Sequence, residues 1–341
     1  MMIRTALLII TLLYLSACTR TDEVQTLGGS AQGTTWHVTV WQPGGVNTDA
    51  LKTKIDAEFE RLDKALSNYR SDSMIEQFNQ NKTTIAITVS EEIVSLVQAA
   101  QLVSEASHGC YDLTIKPLFD LWGFKGDTLT PPTTKQLAEV RQHIGFERLA
   151  IPSDEALQKT VPKLRVDLSS IAQGYSVGRI AAVVEAAGIS NYLVEIGGEL
   201  QTRGRKPDGS AWRIGLEKPL PGGRAVQKTI AINQDSPTAI MTSGTYRHYF
   251  DDQGKRFSHV LDARTGKPIV HNTVSVTVIH DNPTQADAWS TALLCLGAKD
   301  GLAIAQQNHI AALFISEDGD QLGEMPTDAW QALKEKNIEV H

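Results

Sequence analysis

Between Tyr192 and Thr242 four strand-like segments follow one another: Tyr192 to Gln201, Trp212 to Glu217, Gln227 to Asn233 and Thr238 to Thr242. No helical pattern separates them. Consecutive strands of this kind depart from the strict βα alternation of a doubly wound sheet. Thr35 to Trp41, stopped by Pro43-Gly44-Gly45, adds a strand near the start; Asn272 to Ile279 and Ala311 to Ser316 add two late in the chain. Amphipathic helices are predicted over Asp49 to Leu66, after a Ser90 cap, over Thr134 to Ile144, from the Ser169-Ser170 corner to Gly188, from Thr284, and over Lys299 to Asn308. Strands outnumber what strict βα alternation would give. The expected fold class is therefore α+β, with mixed or antiparallel sheets and packed helices. Insertions would sit most easily at Pro131-Pro132 and in the Gly204 to Gly223 loops.

The N-terminus bounds the compartment. Met1 to Ala17 (MMIRTALLIITLLYLSA) carries one Arg, then an apolar run too short to span a bilayer comfortably, then small residues, which is the layout of a secretory signal. Leu15-Ser16-Ala17-Cys18 resembles the lipobox of bacterial lipoproteins, with Cys18 as the lipidated residue. Residues 1–17 are then the signal peptide, 18–30 a polar lipid-anchored tether, and 31–335 the folded domain. Several acyl chains on one Cys suffice for stable membrane anchoring. The expected location is the bacterial cell envelope, facing the periplasm. Cys110 and Cys295 remain, and are read as two small buried hydrophobes rather than as a bridge. There is no CxxC, HExxH or Cys/His cluster, so zinc and iron–sulfur chemistry have no support.

Lys plus Arg total 32 against 39 Asp plus Glu, a formal net charge of −7, and removing the leader takes away only one basic residue, Arg4. Such a chain has no basic field with which to hold nucleic acid, so any polyanionic ligand must be met by local chemistry. Three stretches could supply it. In Ala286-Asp287-Ala288-Trp289-Ser290-Thr291, Asp287 and Thr291 lie one above the other on a helix, a carboxylate and a hydroxyl suited to a hard cation. Alternatively, Thr284 to Asp287 is a capping box that only satisfies backbone N–H groups. In Asp167 to Tyr175 an extended run breaks at Ser169-Ser170 into a helix whose N-terminus could bind phosphate; the bland alternative is that one of these serines merely caps it. Thr242-Ser243-Gly244-Thr245-Tyr246-Arg247, with Ser258-His259-Val260-Leu261-Asp262, brings a candidate proton acceptor, His259, beside an Asp262 that suits the ArgThrGly turn.

Taken together these stretches resemble the ApbE-type FAD:protein FMN transferases. The resemblance also runs through Gln32-Gly33-Thr34-Thr35-Trp36, Leu66-Ser67-Asn68-Tyr69, Gly109-Cys110-Tyr111-Asp112-Leu113-Thr114, Leu121-Trp122-Gly123-Phe124 and Glu195-Ile196-Gly197-Gly198-Glu199. It implies two lobes with FAD, the substrate, in a cleft between them. It further implies a divalent metal, Mg²⁺ with Ca²⁺ as the alternative, held by Asp287, Thr291 and a backbone oxygen of Ser170, with Ser290 close by. Flavin and adenosine contacts would fall at Gln32, Tyr69, Cys110, Tyr111, Asp112, Asp167, Gln173 and Leu261. The family often has Met at the position of Gln32, Trp at Tyr69, and Lys or Glu at Gln173. The implied reaction moves FMN from FAD to a Thr or Ser hydroxyl of a target protein and releases AMP, with His259 as proton acceptor and Asp262 or Asp287 as alternatives. Expected partners are flavoprotein subunits of membrane electron-transport complexes, of the sodium-pumping quinone reductase and Rnf types. The family favours the inner membrane. A metal-dependent FAD pyrophosphatase and a flavin-storage lipoprotein are the alternative functions.

Overall fold

Along Ala311–Asp318, Ala312 and Phe314 face one side and Leu313 and Ile315 the other, and all four are buried. A strand with two apolar faces belongs inside a sheet covered on both sides. The computed structural model, which describes residues 23–124, 131–219, 225–245, 249–252, 255–319 and 321–341, has that arrangement. Its central sheet has eight strands: β1 Gln25–Ala31, β2 Thr34–Trp41, β3 Asn191–Ile196, β4 Glu199–Gly204, β5 Gln234–Gly244, β6 Thr273–His280, β7 Ala311–Asp318 and β8 Gln321–Pro326. The order across the sheet is the order along the chain, and every neighbouring pair is antiparallel. The fold is α+β, as the unbroken succession of strands predicts.

Helices cover one face. α1 Thr48–Leu66, α2 Met74–Gln80, α3 Glu91–Ala106, α4 Lys116–Trp122, α5 Thr134–Val140 and α6 Ala172–Ala186 all lie in the connection from β2 to β3; α7 Pro283–Gln307 links β6 to β7. α6 and α7 pack on the sheet, α1 packs on α6, and α3 on α7. The opposite face is covered by a small sheet of Trp212–Glu217, Val226–Ile232 and Ile338–Val340, whose Trp212, Ile214 and Ile230 meet Leu200, Ile240 and Leu313. Among the described residues, no helix is long and apolar enough to cross a membrane.

Several expectations are revised. Residues 25–30, read as tether, form most of edge strand β1; its Gly29 fits because a Cβ there would meet the Trp36 indole at 2.8 Å. The segment Tyr192 to Gln201 is a hairpin, broken by the Gly197-Gly198 turn, not one strand. The helix expected to reach Ile144 stops at Val140 and adds a single 3-10 turn, Arg141–His143. The two late helices meet within α7 at Gly297, whose φ of 71° interrupts the helical backbone. Cys110 and Cys295 are joined in a disulfide, with Cα atoms 6.0 Å apart, where separate thiols were expected. Met1 to Ala17, Cys18, Tyr246 and Arg247 lie outside the described residues.

Candidate active site

A cavity of about 280 Å³ opens where the connections of the sheet meet α7. Its walls are the Cys110–Ile115 loop, the Asp167–Gln173 corner, the Gly197–Glu199 turn, the end of β5 at Thr242–Gly244, the His259–Leu261 turn, and the α7 stripe Asp287, Thr291 and Cys295. These last three are four residues apart and share one helix face.

The Asp167 corner is fixed by two buried asparagines. The Asn68 Oδ1 accepts the Leu168 N–H at 2.7 Å, and the Asn79 Oδ1 accepts the Val166 N–H at 2.7 Å. Both amide groups donate to the Val166 carbonyl and to Glu76, which the wholly buried Lys116 pairs at 3.0 Å. Asp167, between these clamped residues, accepts the Ser169 N–H and borders the cavity. Neither Ser169 nor Ser170 caps α6, whose N-cap position, Ile171, makes no side-chain cap. The cap comes from the neighbouring helix: the Asp287 Oδ2 accepts the Gly174 N–H at 2.7 Å. Nor is Asp287 part of a capping box at its own helix end, because Asn282 caps α7 there through the Thr284 and Gln285 N–H groups.

Burial pushes the Asp287 carboxyl up to about 7, against the opposing pull of the Gly174 hydrogen bond. Among the described residues it makes no ion pair. Oxygen donors surround it: the Thr291 hydroxyl lies one turn on, 3.1 Å from the Ser243 hydroxyl, and Ser170 stands on the facing corner with its hydroxyl 3.3 Å from that of Tyr111. A buried carboxylate with hydroxyl neighbours and, among the described residues, no ion-pair partner suits a hard divalent cation. Ser290 stands behind this wall: it is fully buried, bonded to Ser243 at 2.8 Å and to the Asp287 carbonyl at 2.9 Å, and does not border the cavity.

The loop side of the cavity is set by Asp112, whose Oδ1 accepts both the N–H and the hydroxyl of Thr114 at 2.7 Å. Burial pushes its carboxyl up to about 6 despite those bonds. Burial also raises the Tyr111 phenol well above its ordinary value, which keeps it neutral. His259 is half-buried and borders the cavity. Asp262 instead holds the turn, accepting the Arg264 backbone N–H at 2.9 Å and its guanidinium at 2.8 Å.

A second cavity, of about 590 Å³, continues past Ser169 and Gln173, which line both. It contains Gln32 and Tyr69, the latter 83% exposed. Gln32 and Gly33 form the β1–β2 turn with positive φ at both positions, and the Gln32 amide reaches Ser176 at 3.0 Å. Of the residues expected at the site, Cys110, Tyr111, Asp112, Asp167, Ser170, Gln173, His259, Leu261, Asp287 and Thr291 therefore share the first cavity, Gln32 and Tyr69 the second. Ser243 and Glu199 were given no role from sequence yet line the first cavity, and Glu199 accepts the Thr242 N–H at 2.9 Å. The signal was their placement within quoted motifs at strand ends: Glu199 opens β4 and Ser243 is next to the last residue of β5.

Gly174 makes the α6–α7 approach possible. A Cβ there would lie 2.4 Å from the Pro283 carbonyl oxygen and 2.5 Å from the Asp287 Cβ. Gly174→Ala should cost about 1–3 kcal/mol by overpacking and push Asp287 off its N–H partner. Denaturant unfolding checks this, and an unchanged midpoint would show that the helices part freely.

Comparison with known proteins gives one consistent result. The model of the ApbE family matches residues 32–314. A Vibrio cholerae serotype O1 protein named FAD:protein FMN transferase is 37% identical over 329 residues, 95% of this chain and 97% of that protein. The Escherichia coli K12 protein of the same name is 36% identical over 310 residues, 89% of this chain and 87% of that protein. The crystal structure of apo Pseudomonas stutzeri flavinyl transferase ApbE superposes with a TM-score of 0.83 at 38% identity, covering 92% of this chain and 97% of that one.

Proposed function

The chain belongs to the ApbE family, and from that premise we propose that it is a divalent-cation-dependent FAD:protein FMN transferase acting on a Thr or Ser hydroxyl of a target protein. The observation that carries the chemistry is the buried Asp287 carboxylate, facing hydroxyls and the start of α6, in the cavity that His259 borders. Asp287 and Thr291 would hold the cation, Mg²⁺ or Ca²⁺, with Ser170 on the facing wall. The bound ion would supply positive charge at the FAD pyrophosphate, which a chain of net charge −7 does not supply through its overall field. The α6 N-terminus adds its dipole from the same side.

In the transfer, a target hydroxyl oxygen bonds to the FMN phosphorus and the pyrophosphate bond breaks, with AMP as the leaving group. His259 takes the hydroxyl proton. Asp262 is committed to Arg264 and its turn, which leaves His259 as the better acceptor. The rest of the protein's work is positioning, the main task in phosphoryl transfer. The continuous pair of cavities supports a dinucleotide reading, with room for both ends of an extended FAD around Ser169 and Gln173.

Anchoring through Cys18 at the periplasmic side of the membrane belongs to the same proposal. The Cys110–Cys295 bridge supports an oxidising compartment. Targets would be flavoprotein subunits of membrane electron-transport complexes. The test is mass spectrometry of such a subunit incubated with the protein, FAD and Mg²⁺. A covalent FMN adduct that chelator abolishes is expected. Free FMN and AMP with no adduct would make the protein a pyrophosphatase, and unconsumed FAD a binding protein.

A further inference from the structure

The cavity walls come from stretches far apart in the chain; one covalent bond joins two of them, and hydrogen bonds tie a third to that bond. Cys110 immediately precedes Tyr111 and Asp112; Cys295 lies one helical turn beyond Thr291 on α7; both sulfurs' residues line the cavity. The turn that carries His259 and Leu261 meets them there. The Ala263 N–H donates to the Cys110 carbonyl at 3.3 Å, and the Arg264 guanidinium, held by Asp262, lies 3.3 Å from the Cys110 Sγ. Elsewhere the Cys110 loop is tied to its own side of the site, through Ser107, Thr114 and the bond between Leu113 and Asp167. Among the described residues no hydrogen bond joins residues 109–114 to α7, so the disulfide is the direct link between the Tyr111–Asp112 wall and the Asp287–Thr291 stripe.

We propose that the Cys110–Cys295 disulfide is a redox-sensitive positioning element of the active site: closed, it holds the Tyr111–Asp112 wall at the spacing from α7 that binds FAD, and opened, it releases that wall. The inference rests on the FAD-transferase reading given above. A dithiol opens it by exchange. One reductant thiolate attacks a bridge sulfur, the S–S bond breaks and a mixed disulfide forms. The second reductant thiol then displaces the protein sulfur. Two electrons and two protons pass to the protein as two thiols, and the reductant leaves as its own disulfide. The bridge residues are largely buried except toward the cavity, so FAD shields the bridge that helps to hold it.

Linkage makes the effect reciprocal. If the closed form binds FAD tenfold more tightly, FAD must make the bridge tenfold harder to reduce, a shift of about 30 mV to lower potential.

The test uses the full-length protein in detergent with Mg²⁺, poised in dithiothreitol redox mixtures. Thiol alkylation is read on the Cys110 and Cys295 peptides, and FAD binding by flavin fluorescence. Reduction should weaken FAD binding about tenfold or more, and FAD should lower the bridge potential by the linked amount. Transfer should show a raised KM for FAD with kcat largely kept, which a general loss of folding would not produce. In Cys110→Ala/Cys295→Val, and in the single variant Cys295→Ser, dithiothreitol should change nothing. Alkylation of both peptides without reductant, or an opened bridge with unchanged FAD affinity, overturns the positioning role alone. Failure of the oxidised protein to bind FAD overturns the transferase reading beneath it.

Discussion

Asp287→Ala should lower FMN transfer about 10³-fold or more at saturating FAD and Mg²⁺, because it removes the buried carboxylate proposed to hold the cation at the pyrophosphate. The loss should come with loss of metal-induced stabilisation, not with unfolding. Asp287→Asn keeps an acceptor for the Gly174 N–H and so separates the two roles of the side chain. The pH dependence gives a second readout. Burial raises the Asp287 carboxyl from an ordinary value of 3.8 to about 7. Between those values the metal-free folded state holds a proton that the unfolded chain has released. The stability of the metal-free protein therefore falls as pH rises across that window. Cation binding needs the ionised carboxylate, so the gain in Tm on adding Mg²⁺ should grow toward and above pH 7. Asp287→Asn should flatten this part of the profile and abolish the gain. An equal Mg²⁺ response in parent and variant would place the metal elsewhere.

His259→Ala should slow single-turnover transfer about 10²- to 10⁴-fold while leaving FAD and Mg²⁺ binding near parental, the signature of a lost proton acceptor. His259 borders the cavity but caps no helix and sits in a short turn after Ser258. Asp262 cannot replace it without releasing Arg264 and the turn. Near-normal single-turnover transfer by His259→Ala, with Asp287→Ala inactive, would remove the proton-acceptor role and leave the metal role intact.

What the sequence revealed followed the range of each interaction. Strands with alternating or continuous apolar residues, such as Thr273–His280, and helices with a clear apolar stripe, such as Leu51 to Leu66, are local patterns and could be read. β1 escaped because Gln25–Ala31 (QTLGGSA) buries Leu27 alone among its residues and needs Gly29 to pass the Trp36 ring, a demand set by its partner strand. The partner of Asp287 escaped for a similar reason. Its spacing to Thr291 lies within one helix, whereas its bond to Gly174 crosses to another helix 113 residues away. The disulfide spans 185 residues, and chain separation carries no information about Cα distance. The family resemblance gathered the site residues that periodicity could not, and most of them border one cavity. It did not reveal that Ser290 lies behind the wall or that Ser243 stands in it.

The order of the central sheet has a kinetic consequence. β3 to β8 pair in their order along the chain, β3 with β4 and β7 with β8 through short turns, whereas β2 reaches β3 only after the chain has passed from Trp41 to Asn191. Closing that long connection carries the larger entropic cost, so the β1–β2 hairpin is expected to dock after the local pairs have formed. The first cavity is lined by residues of that long connection, between Cys110 and Gln173, and by later ones, between Gly197 and Cys295, with none from β1 or β2, whereas the second cavity takes Gln32 and Thr34 from the β1–β2 turn. The second cavity should therefore take its final shape only when that hairpin docks, after the walls around Asp287 have already assembled.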